Sequence, residues 1–181
     1  MSFYMSTNGM LHPYNFAYLE DDANGPRLEK TQIHSDQQNT PSSSQSNSKK
    51  EVEFYAINIM TSPLITETPD CFLKQVKEKM KQFGMHHIPI VKNYKLLGMI
   101  SDRDLLKINM MATFYYLKAQ NIMSTILIVC DEDTPINQIA KVLLEENISC
   151  LPVVDRDHKL TGIISRTDLL KVIVKNRIVI H

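Results

Sequence analysis

The strongest constraint on how this chain folds is a motif that occurs twice. Residues 95–107 read KLLGMISDRDLLK, and residues 159–171 read KLTGIISRTDLLK. Upstream of each copy an Ile-Met pair recurs, as Ile59-Met60 and Ile122-Met123, and an apolar run recurs as IPIV and LPVV. A tandem repeat predicts two copies of one structural unit. Because Ser and Asp recur along with the apolar positions, the units are expected to share a polar site as well as a core.

Charge and apolar content narrow the possible partners. The 181 residues include 20 Lys and Arg and 20 Asp and Glu, so the net charge is zero and predicts neither nucleic-acid nor anionic-membrane binding. No apolar run reaches the roughly 18 residues of a membrane span, and the first residues lack the basic start and apolar stretch of a secretory signal. Three cysteines without close spacing argue against a disulfide framework and predict a cytoplasmic protein.

Composition divides the chain into a tail and a folded part. Residues 1–50 are predicted to form a flexible N-terminal tail or linker, because the stretch from 31 to 50 has one large apolar side chain, Ile33, and cannot bury enough surface to fold. Aromatic and large apolar residues near the start offer an alternative, in which a short segment anchors on the folded part. These anchors are Phe3, Tyr4, Tyr14, Phe16, Tyr18 and Leu19. The first repeat is assigned to residues 51–117 and the second to residues 118–181.

Both repeats show the same order of predicted elements: strand, helix, strand, strand, helix. The strands of the first repeat are predicted at residues 64–66, 87–91 and 96–100. Those of the second repeat are predicted at residues 126–129, 150–154 and 160–164. Asp70 and Asp133 suit the caps of the first helices, and the closing helices begin at Ser101 and Ser165, the former continuing helically over residues 108–120. The fold class is therefore α/β, more narrowly α+β, with two β-α-β-β-α repeats packed together because neither buries its apolar faces alone.

The Ser-x-x-Asp pairs stand where a strand ends and a helix begins. Ser101 and Ser165 suit the N-cap, the first-turn amides favour an anion such as phosphate, and the preceding Gly permits close backbone approach. Asp104 and Asp168 only accept hydrogen bonds, so each suits the two hydroxyls of a ribose. In one copy, a Ser cap with an Asp that complements the helix dipole is the simpler interpretation; two copies favour a ligand site. The two Asp residues are expected in separate clefts, not as a catalytic pair.

The repeated motifs over residues 55–175 resemble those of a tandem CBS-domain pair, or Bateman module, and the compact form resembles the acetoin-utilisation type. The resemblance implies a pseudo-twofold disc with clefts for adenosyl ligands such as AMP, ADP, ATP, S-adenosylmethionine or NAD. In the family the matching Asp holds the ribose, the Ser lies near ribose or phosphate, and apolar strand residues enclose the adenine. The implied base pockets consist of Pro63, Leu64, Ile65 and Ile88 in one cleft and of Thr125, Ile126, Leu127 and Leu151 in the other.

Cationic side chains distinguish the two copies. His86, His87 and Arg103 belong to the first repeat, and Arg166 is the cation near the motif of the second. In some family members a His-Arg pair at the position of His86 and His87 reaches phosphates in the sister site; here a His replaces that Arg. By this mapping the Asp168 cleft is expected to prefer polyphosphates. No metal site is predicted, because the paired His lack further ligands at metal-binding spacing.

The predicted function is regulatory rather than enzymatic. The sequence has no motif of the GxGxxG, GxxxxGKS/T, GxSxG or HExxH type, and no catalytic cofactor is expected. An adenine nucleotide is the expected ligand, which changes the arrangement of the repeats and so acts on an unidentified protein partner or on the oligomer. The alternative is a ligand-independent dimerisation scaffold with idle clefts. A homodimer is expected through apolar helix surface. The residues assigned to that surface are Phe72, Val76, Met80, Met110, Phe114, Ile139 and Leu143.

Overall fold

The computed structural model describes residues 3–20, 54–108 and 112–176. The N-terminal elements are β1 (Phe3–Thr7), β2 (Met10–Tyr14) and α1 (Ala17–Glu20). The first repeat contains α2 (Ala56–Ile59), α3 (Leu73–Phe83), β3 (His87–Lys92), β4 (Lys95–Ser101) and α4 (Asp102–Ile108). The second repeat contains β5 (Ile126–Asp131), α5 (Ile136–Glu145), β6 (Cys150–Val154), β7 (Leu160–Ser165) and α6 (Arg166–Asn176). Both repeats thus contain helices and strands, and the predicted mixed α+β class is confirmed.

Each repeat builds an antiparallel strand pair that ends at its Ser-x-x-Asp motif. β3 pairs with β4 and places His87 opposite Ser101, while β6 pairs with β7 and places Cys150 opposite Ser165. β5 runs parallel to β6 and completes a five-stranded sheet of order β2-β1-β5-β6-β7. Because the registers match, the two motifs and the helices that follow them start from equivalent positions of the two repeats.

The first strand that the sequence predicts in the first repeat does not form. Residues 64–66 form no strand, and the segment meets the sheet at one isolated bridge, between Glu67 and Ile90. The equivalent strand β5 has β1 along its outer edge and β6 along its inner one. Within the described ranges no strand borders the outer edge of residues 64–66, so fewer backbone partners hold that segment extended.

The first helices begin later than predicted, and the connection between the repeats is not one helix. α3 begins at Leu73, with the Phe72 N–H donating to the Gln75 side chain at 3.2 Å, so Asp70 does not cap it. α5 begins at Ile136, after the predicted start. Two short 3-10 helices replace the continuous helix predicted over residues 108–120 in the described part of the connection. They are Ala112–Tyr116 and Ala119–Asn121.

Residues 3–20 are ordered against the second repeat, and the prediction of a flexible tail is wrong for them. β1 and β2 form a hairpin closed by Asn8 and Gly9, whose φ angles of 51° and 82° are those of a type I′ turn. β1 pairs along its length with β5, and Phe3 and Phe16 are buried in the core of the second repeat. The anchoring alternative is therefore the observed one, because the aromatic side chains bury apolar surface. The rest of the predicted tail lies outside the described residues.

Each repeat is packed by the leading segment of the other. α2 lies in the core of the second repeat, and the 3-10 helix at Ala119–Asn121 lies in the core of the first. The motif glycines admit this exchange, since a side chain at Gly98 would meet Met123 at 2.8 Å and one at Gly162 would collide with Met60. The glycines therefore serve packing between the repeats, not the close ligand approach that the motif predicted.

The apolar helix residues assigned to a dimer surface lie mostly in the core, so that assignment is wrong. The buried ones are Val76, Met80, Phe114, Ile139 and Leu143. Of the assigned residues that the structure describes, Phe72 alone is exposed, and Met110 lies outside the described residues. A different set of apolar side chains is exposed on the helices. It includes Ile57, Phe83, Leu106, Leu144, Leu170 and Val174. No helix in the described ranges is long and apolar enough to span a membrane.

Candidate nucleotide site

A cavity of about 1100 Å³ lies between the two repeats, and both motifs line it. Ser101 and Asp104 come from the first repeat, and Ser165 and Asp168 from the second. The sequence predicts separate clefts for the two carboxylates; in the structure they line two parts of one cavity, each contributed by a different repeat. We refer to the surroundings of the two carboxylates as the Asp104 end and the Asp168 end of this cavity.

The two Ser-Asp pairs have the same hydrogen-bond geometry. Asp104 Oδ2 accepts the Ser101 backbone N–H at 3.0 Å and the Ser101 hydroxyl at 2.6 Å, and the Asp104 N–H donates to Ser101 Oγ at 3.2 Å. The corresponding distances for Ser165 and Asp168 are 2.9, 2.6 and 3.3 Å. This reciprocal pattern caps α4 and α6 as the simpler interpretation requires. It also fixes both carboxylates at the cavity wall.

The two carboxylates differ in their lysine neighbours. Lys171 Nζ lies 2.8 Å from Asp168 Oδ1, whereas Lys107 Nζ lies 3.6 Å from Asp104 Oδ1. The Asp168 side chain is 9% exposed and that of Asp104 is 25% exposed. Burial favours the neutral acid, but hydrogen bonds from Lys171 and Ser165 outweigh it and lower the pKa of Asp168 below its usual value. Asp168 is therefore held as a carboxylate at neutral pH.

Most of the predicted base-pocket residues line the cavity. They are Pro63, Leu64, Ile65, Ile126 and Leu127. Ile88 and Leu151 do not line it, because each is fully buried in the core of its own repeat. Thr125 also lies off the lining, and its carbonyl accepts the Asn8 N–H at 3.3 Å. In strands β3 and β6 successive side chains point to opposite faces, and Ile88 and Leu151 take the core face.

Sequence reasoning missed two pairs of lining residues that occupy equivalent positions in the repeats. Met99 and Ile163 are the variable residue of each Gly-x-Ile-Ser motif, and Met85 and Ile148 precede β3 and β6. The signal that could have found them is the repeat itself. The equivalent positions before β3 and β6, and those two residues before each motif Ser, are apolar in both copies, although the residue types differ.

The paired histidines have different partners. His86 Nδ1 lies 2.8 Å from Asp102 Oδ2, within the first repeat. His87 Nε2 lies 2.9 Å from Ser149 Oγ, so it contacts the second repeat. Burial lowers the pKa of His87, with the Asp102 carboxylate acting in the opposite direction and His86 adding to the lowering. His87 is therefore neutral at pH 7 in the unliganded protein.

The two predicted arginines differ in availability. The Arg166 guanidinium donates to the carbonyls of Ile148 at 2.9 Å and Leu143 at 3.0 Å and to Asn147 Oδ1 at 3.3 Å. These bonds hold Arg166 at the C-terminal end of α5, where carbonyls need donors. Arg103 lines the cavity with its side chain exposed, and it forms no ion pair with a carboxylate of the described residues. Arg103 is thus the arginine that is better placed to meet a ligand phosphate.

No group of three His, Cys, Asp or Glu residues within the described ranges is arranged to hold a metal. Cys150 lines the cavity, and its Sγ lies 3.4 Å from Met99 Sδ. Burial raises the pKa of the Cys150 thiol to about 12, so the sulfur stays protonated at neutral pH. A protonated thiol packs as a small apolar group.

A comparison with known protein families identifies the family of these two repeats. The model of the CBS domain matches residues 56–110 and residues 119–175. The chain belongs to the CBS domain family. Each CBS match contains one Ser-x-x-Asp motif, so the predicted tandem pair is confirmed.

Relatives and solved structures agree with this family. The uncharacterised proteins MJ0188 and MJ1225 of Methanocaldococcus jannaschii are each 30% identical to the chain, over 114 and 124 residues. Each match covers 62% of this chain, but only 41% of MJ0188 and 44% of MJ1225. The chain therefore spans less than half the length of these curated relatives.

Two solved CBS structures resemble the chain over nearly their whole length. The CBS domain pair of protein MJ0100, in complex with 5′-methylthioadenosine and S-adenosyl-L-methionine, gives a TM-score of 0.63 at 25% identity and covers 69% of this chain and 99% of that one. An acetoin utilisation protein, AcuB from Vibrio cholerae, gives a TM-score of 0.65 at 27% identity and covers 70% and 96%. The structural similarity to AcuB agrees with the resemblance to the acetoin-utilisation type that the sequence indicates.

Proposed function

We propose that this CBS pair is a regulatory module that binds an adenosyl ligand, of the AMP, ADP or ATP type, in the cavity between its repeats. The observation that carries the proposal is the duplicated Ser-Asp pair. Two carboxylates, fixed by the same three hydrogen bonds, line one cavity that also has apolar walls. A carboxylate suits a ribose diol, and apolar walls suit an adenine base.

The remaining predicted residues take roles around this core of the site. Leu64 and Ile65 enclose a base at the Asp104 end, and Ile126 and Leu127 at the Asp168 end. Arg103 and the His86-His87 pair face the phosphates of either ligand. Arg166 supports the wall by capping α5, which is a structural role.

The relatives support an adenosyl ligand. The MJ0100 pair was crystallised with two adenosyl compounds, and its structure matches 69% of this chain. Because a ligand between two repeats stabilises one arrangement of them, binding becomes a signal that an unidentified protein partner or the oligomer reads.

A regulatory role is also favoured over an enzymatic one. The match to inosine-5′-monophosphate dehydrogenase of Bacillus subtilis covers 64% of this chain but only 23% of that enzyme. The similarity therefore concerns a limited part of the enzyme. In this cavity each of the two carboxylates is hydrogen-bonded to a Ser and is proposed to bind the ribose diol. Neither carboxylate is therefore assigned as a nucleophile or a general base.

A thermal-shift panel on the full chain tests the proposal. AMP, ADP, ATP, S-adenosylmethionine and 5′-methylthioadenosine are compared with GMP and CMP as controls for base recognition. We expect at least one adenosyl ligand to raise the melting temperature in a concentration-dependent way, because a ligand that binds only the native state stabilises it by mass action. No shift with any adenosyl ligand, even at millimolar concentration, would favour the alternative of a dimerisation scaffold with idle clefts.

We infer a homodimer from the exposed helix residues rather than from the set predicted by sequence. Leu106 on α4 and Leu170 on α6 occupy the same position of the two motifs, and both are exposed. Leu144 and Val174 add to the exposed apolar surface of the second repeat. Light scattering at micromolar concentration is expected to give twice the chain mass, and Leu106→Glu with Leu170→Glu is expected to give the monomer. A monomeric wild-type protein would refute this inference.

A further inference from the structure

The two ends of the cavity differ at one position of the motif. Lys171 and Lys107 both follow the motif Asp by three residues, yet only Lys171 lines the cavity. Lys171 forms a hydrogen-bonded ion pair with Asp168 at 2.8 Å, whereas Lys107 lies 3.6 Å from Asp104 and its side chain is 76% exposed. The two repeats can therefore be compared directly: Asp168 is hydrogen-bonded to its lysine, whereas Asp104 is more exposed and lies farther from its own.

The lysine occupies the part of Asp168 that a ribose would need. Asp168 Oδ2 already accepts two donors from Ser165, and Oδ1 accepts Lys171. With the side chain only 9% exposed, two ribose hydroxyls reach this carboxylate only if the Lys171 ammonium moves away. The Lys171 side chain is itself 58% exposed and lines the cavity, so it has room to move toward a bound ligand.

We propose that Lys171 makes the Asp168 end of the cavity selective for adenosyl ligands that carry phosphate. An uncharged adenosine displaces the ammonium from Asp168 and gives it no new anionic partner. A nucleotide displaces it in the same way but supplies a phosphate, with which Lys171 forms a new charge-assisted hydrogen bond. This inference rests on the proposed adenosyl function. It adds that the ligand preferred at the Asp168 end of the cavity carries a negatively charged phosphate.

Of the other cations, Arg103 lines the cavity and is assigned to phosphates at either end, so it does not distinguish the two ends. Arg166 and His87 have other partners. Arg166 is held by two carbonyls and a side-chain amide oxygen at the end of α5. The half-buried His87 contacts Ser149, and burial favours its neutral form. Lys171 is thus the cation whose release is tied directly to the arrival of a ribose at Asp168.

Calorimetric titration of the full-length protein with AMP and with adenosine tests the inference. Asp104→Asn serves as the background, so that the Asp168 end is measured by itself. In that background, Lys171→Met is expected to reduce the ratio of the adenosine Kd to the AMP Kd by about tenfold, the size of one charge-assisted hydrogen bond. The matched control Lys107→Met is expected to leave the ratio unchanged, and Lys171→Arg is expected to preserve most of it.

The outcomes separate this inference from the proposed function. If Lys171→Met weakens AMP and adenosine equally, Lys171 only supports Asp168 and the inference is overturned. If the Asp104→Asn protein binds neither ligand while Asp168→Asn binds AMP, the inference is also overturned, but the proposed function stands. If wild-type protein binds neither of these ligands nor any other adenosyl compound of the thermal-shift panel, both fail. Thermal unfolding of every variant without ligand shows that each is folded.

Discussion

The N-terminal hairpin provides a prediction that depends on one buried side chain. Phe3 lies at the start of β1, is 4% exposed, and packs its ring 5.4 Å from that of Phe16 in the core of the second repeat. Replacing a core Phe with Ala typically costs about 3–5 kcal/mol, and the lower value applies here because the hairpin can detach before the rest of the protein unfolds. We therefore expect Phe3→Ala to lower the free energy of unfolding by about 3 kcal/mol.

Urea unfolding of the full chain, followed by circular dichroism, measures this loss. With a slope of about 2 kcal/mol per molar urea, the midpoint should fall by about 1.5 M. Met10→Ala is the matched control, since Met10 belongs to the same hairpin but is exposed, and its effect should stay within about 0.5 kcal/mol. Equal midpoints for Phe3→Ala, Met10→Ala and wild type would show that the hairpin does not dock on the second repeat.

Two further predictions concern the motif glycines and His87. Gly98→Ala should destabilise the protein by about 1–3 kcal/mol, and by more than Gly162→Ala does. A Cβ at Gly98 meets the backbone carbonyl of Ser124 as well as Met123, whereas the atoms nearest to a Cβ at Gly162 all belong to the flexible Met60 side chain. Equal urea midpoints for the two variants would contradict this prediction. Because folding lowers the pKa of His87, the unfolded chain takes up this proton first, so stability should fall as the pH drops below about 6.5 and level off below the folded-state pKa. His87→Gln should remove that part of the pH dependence, and an unchanged slope between pH 6.5 and 5 would refute the assignment.

The parts of the fold that sequence predicted are those determined by local pattern. The strand pairs β3-β4 and β6-β7 follow β-branched runs around a turn, and their bounds lie close to the predicted ranges. The Ser-Asp pairs were recognised because duplication separates a shared polar site from an ordinary helix cap. Their observed hydrogen bonds fit both a helix cap and a ligand site. The observation that favours the ligand site is that both pairs line the same cavity.

The parts that sequence missed depend on contacts between distant segments. The hairpin was hidden because the composition of residues 1–50 is dominated by the polar stretch after residue 30, whereas Phe3 and Phe16 find their partners in the second repeat. The single cavity was not foreseen because spacing along the chain does not say which way two repeats face. Ile88 and Leu151 were assigned to the site although the strand places them on the core face.

The difference between Lys107 and Lys171 is the least predictable feature. The two residues are identical in type and in spacing from their Asp. The structure nevertheless places the two ammonium groups at different distances from their carboxylates, 3.6 Å for Lys107 and 2.8 Å for Lys171. Duplicate motifs therefore do not guarantee duplicate sites, and each end of the cavity needs its own measurement.

The most direct measurement of the central claim is calorimetric titration of AMP into the full-length protein and into the double variant Asp104→Ala with Asp168→Ala. Losing a charge-assisted ribose contact costs roughly 1.5–3 kcal/mol at each end, so we expect binding to weaken by about ten- to a hundredfold or to vanish. Asp133→Ala, an exposed carboxylate outside the cavity, should bind AMP like wild type. AMP affinity that is unchanged in the double variant would contradict the assignment of the two carboxylates as the ribose-binding groups.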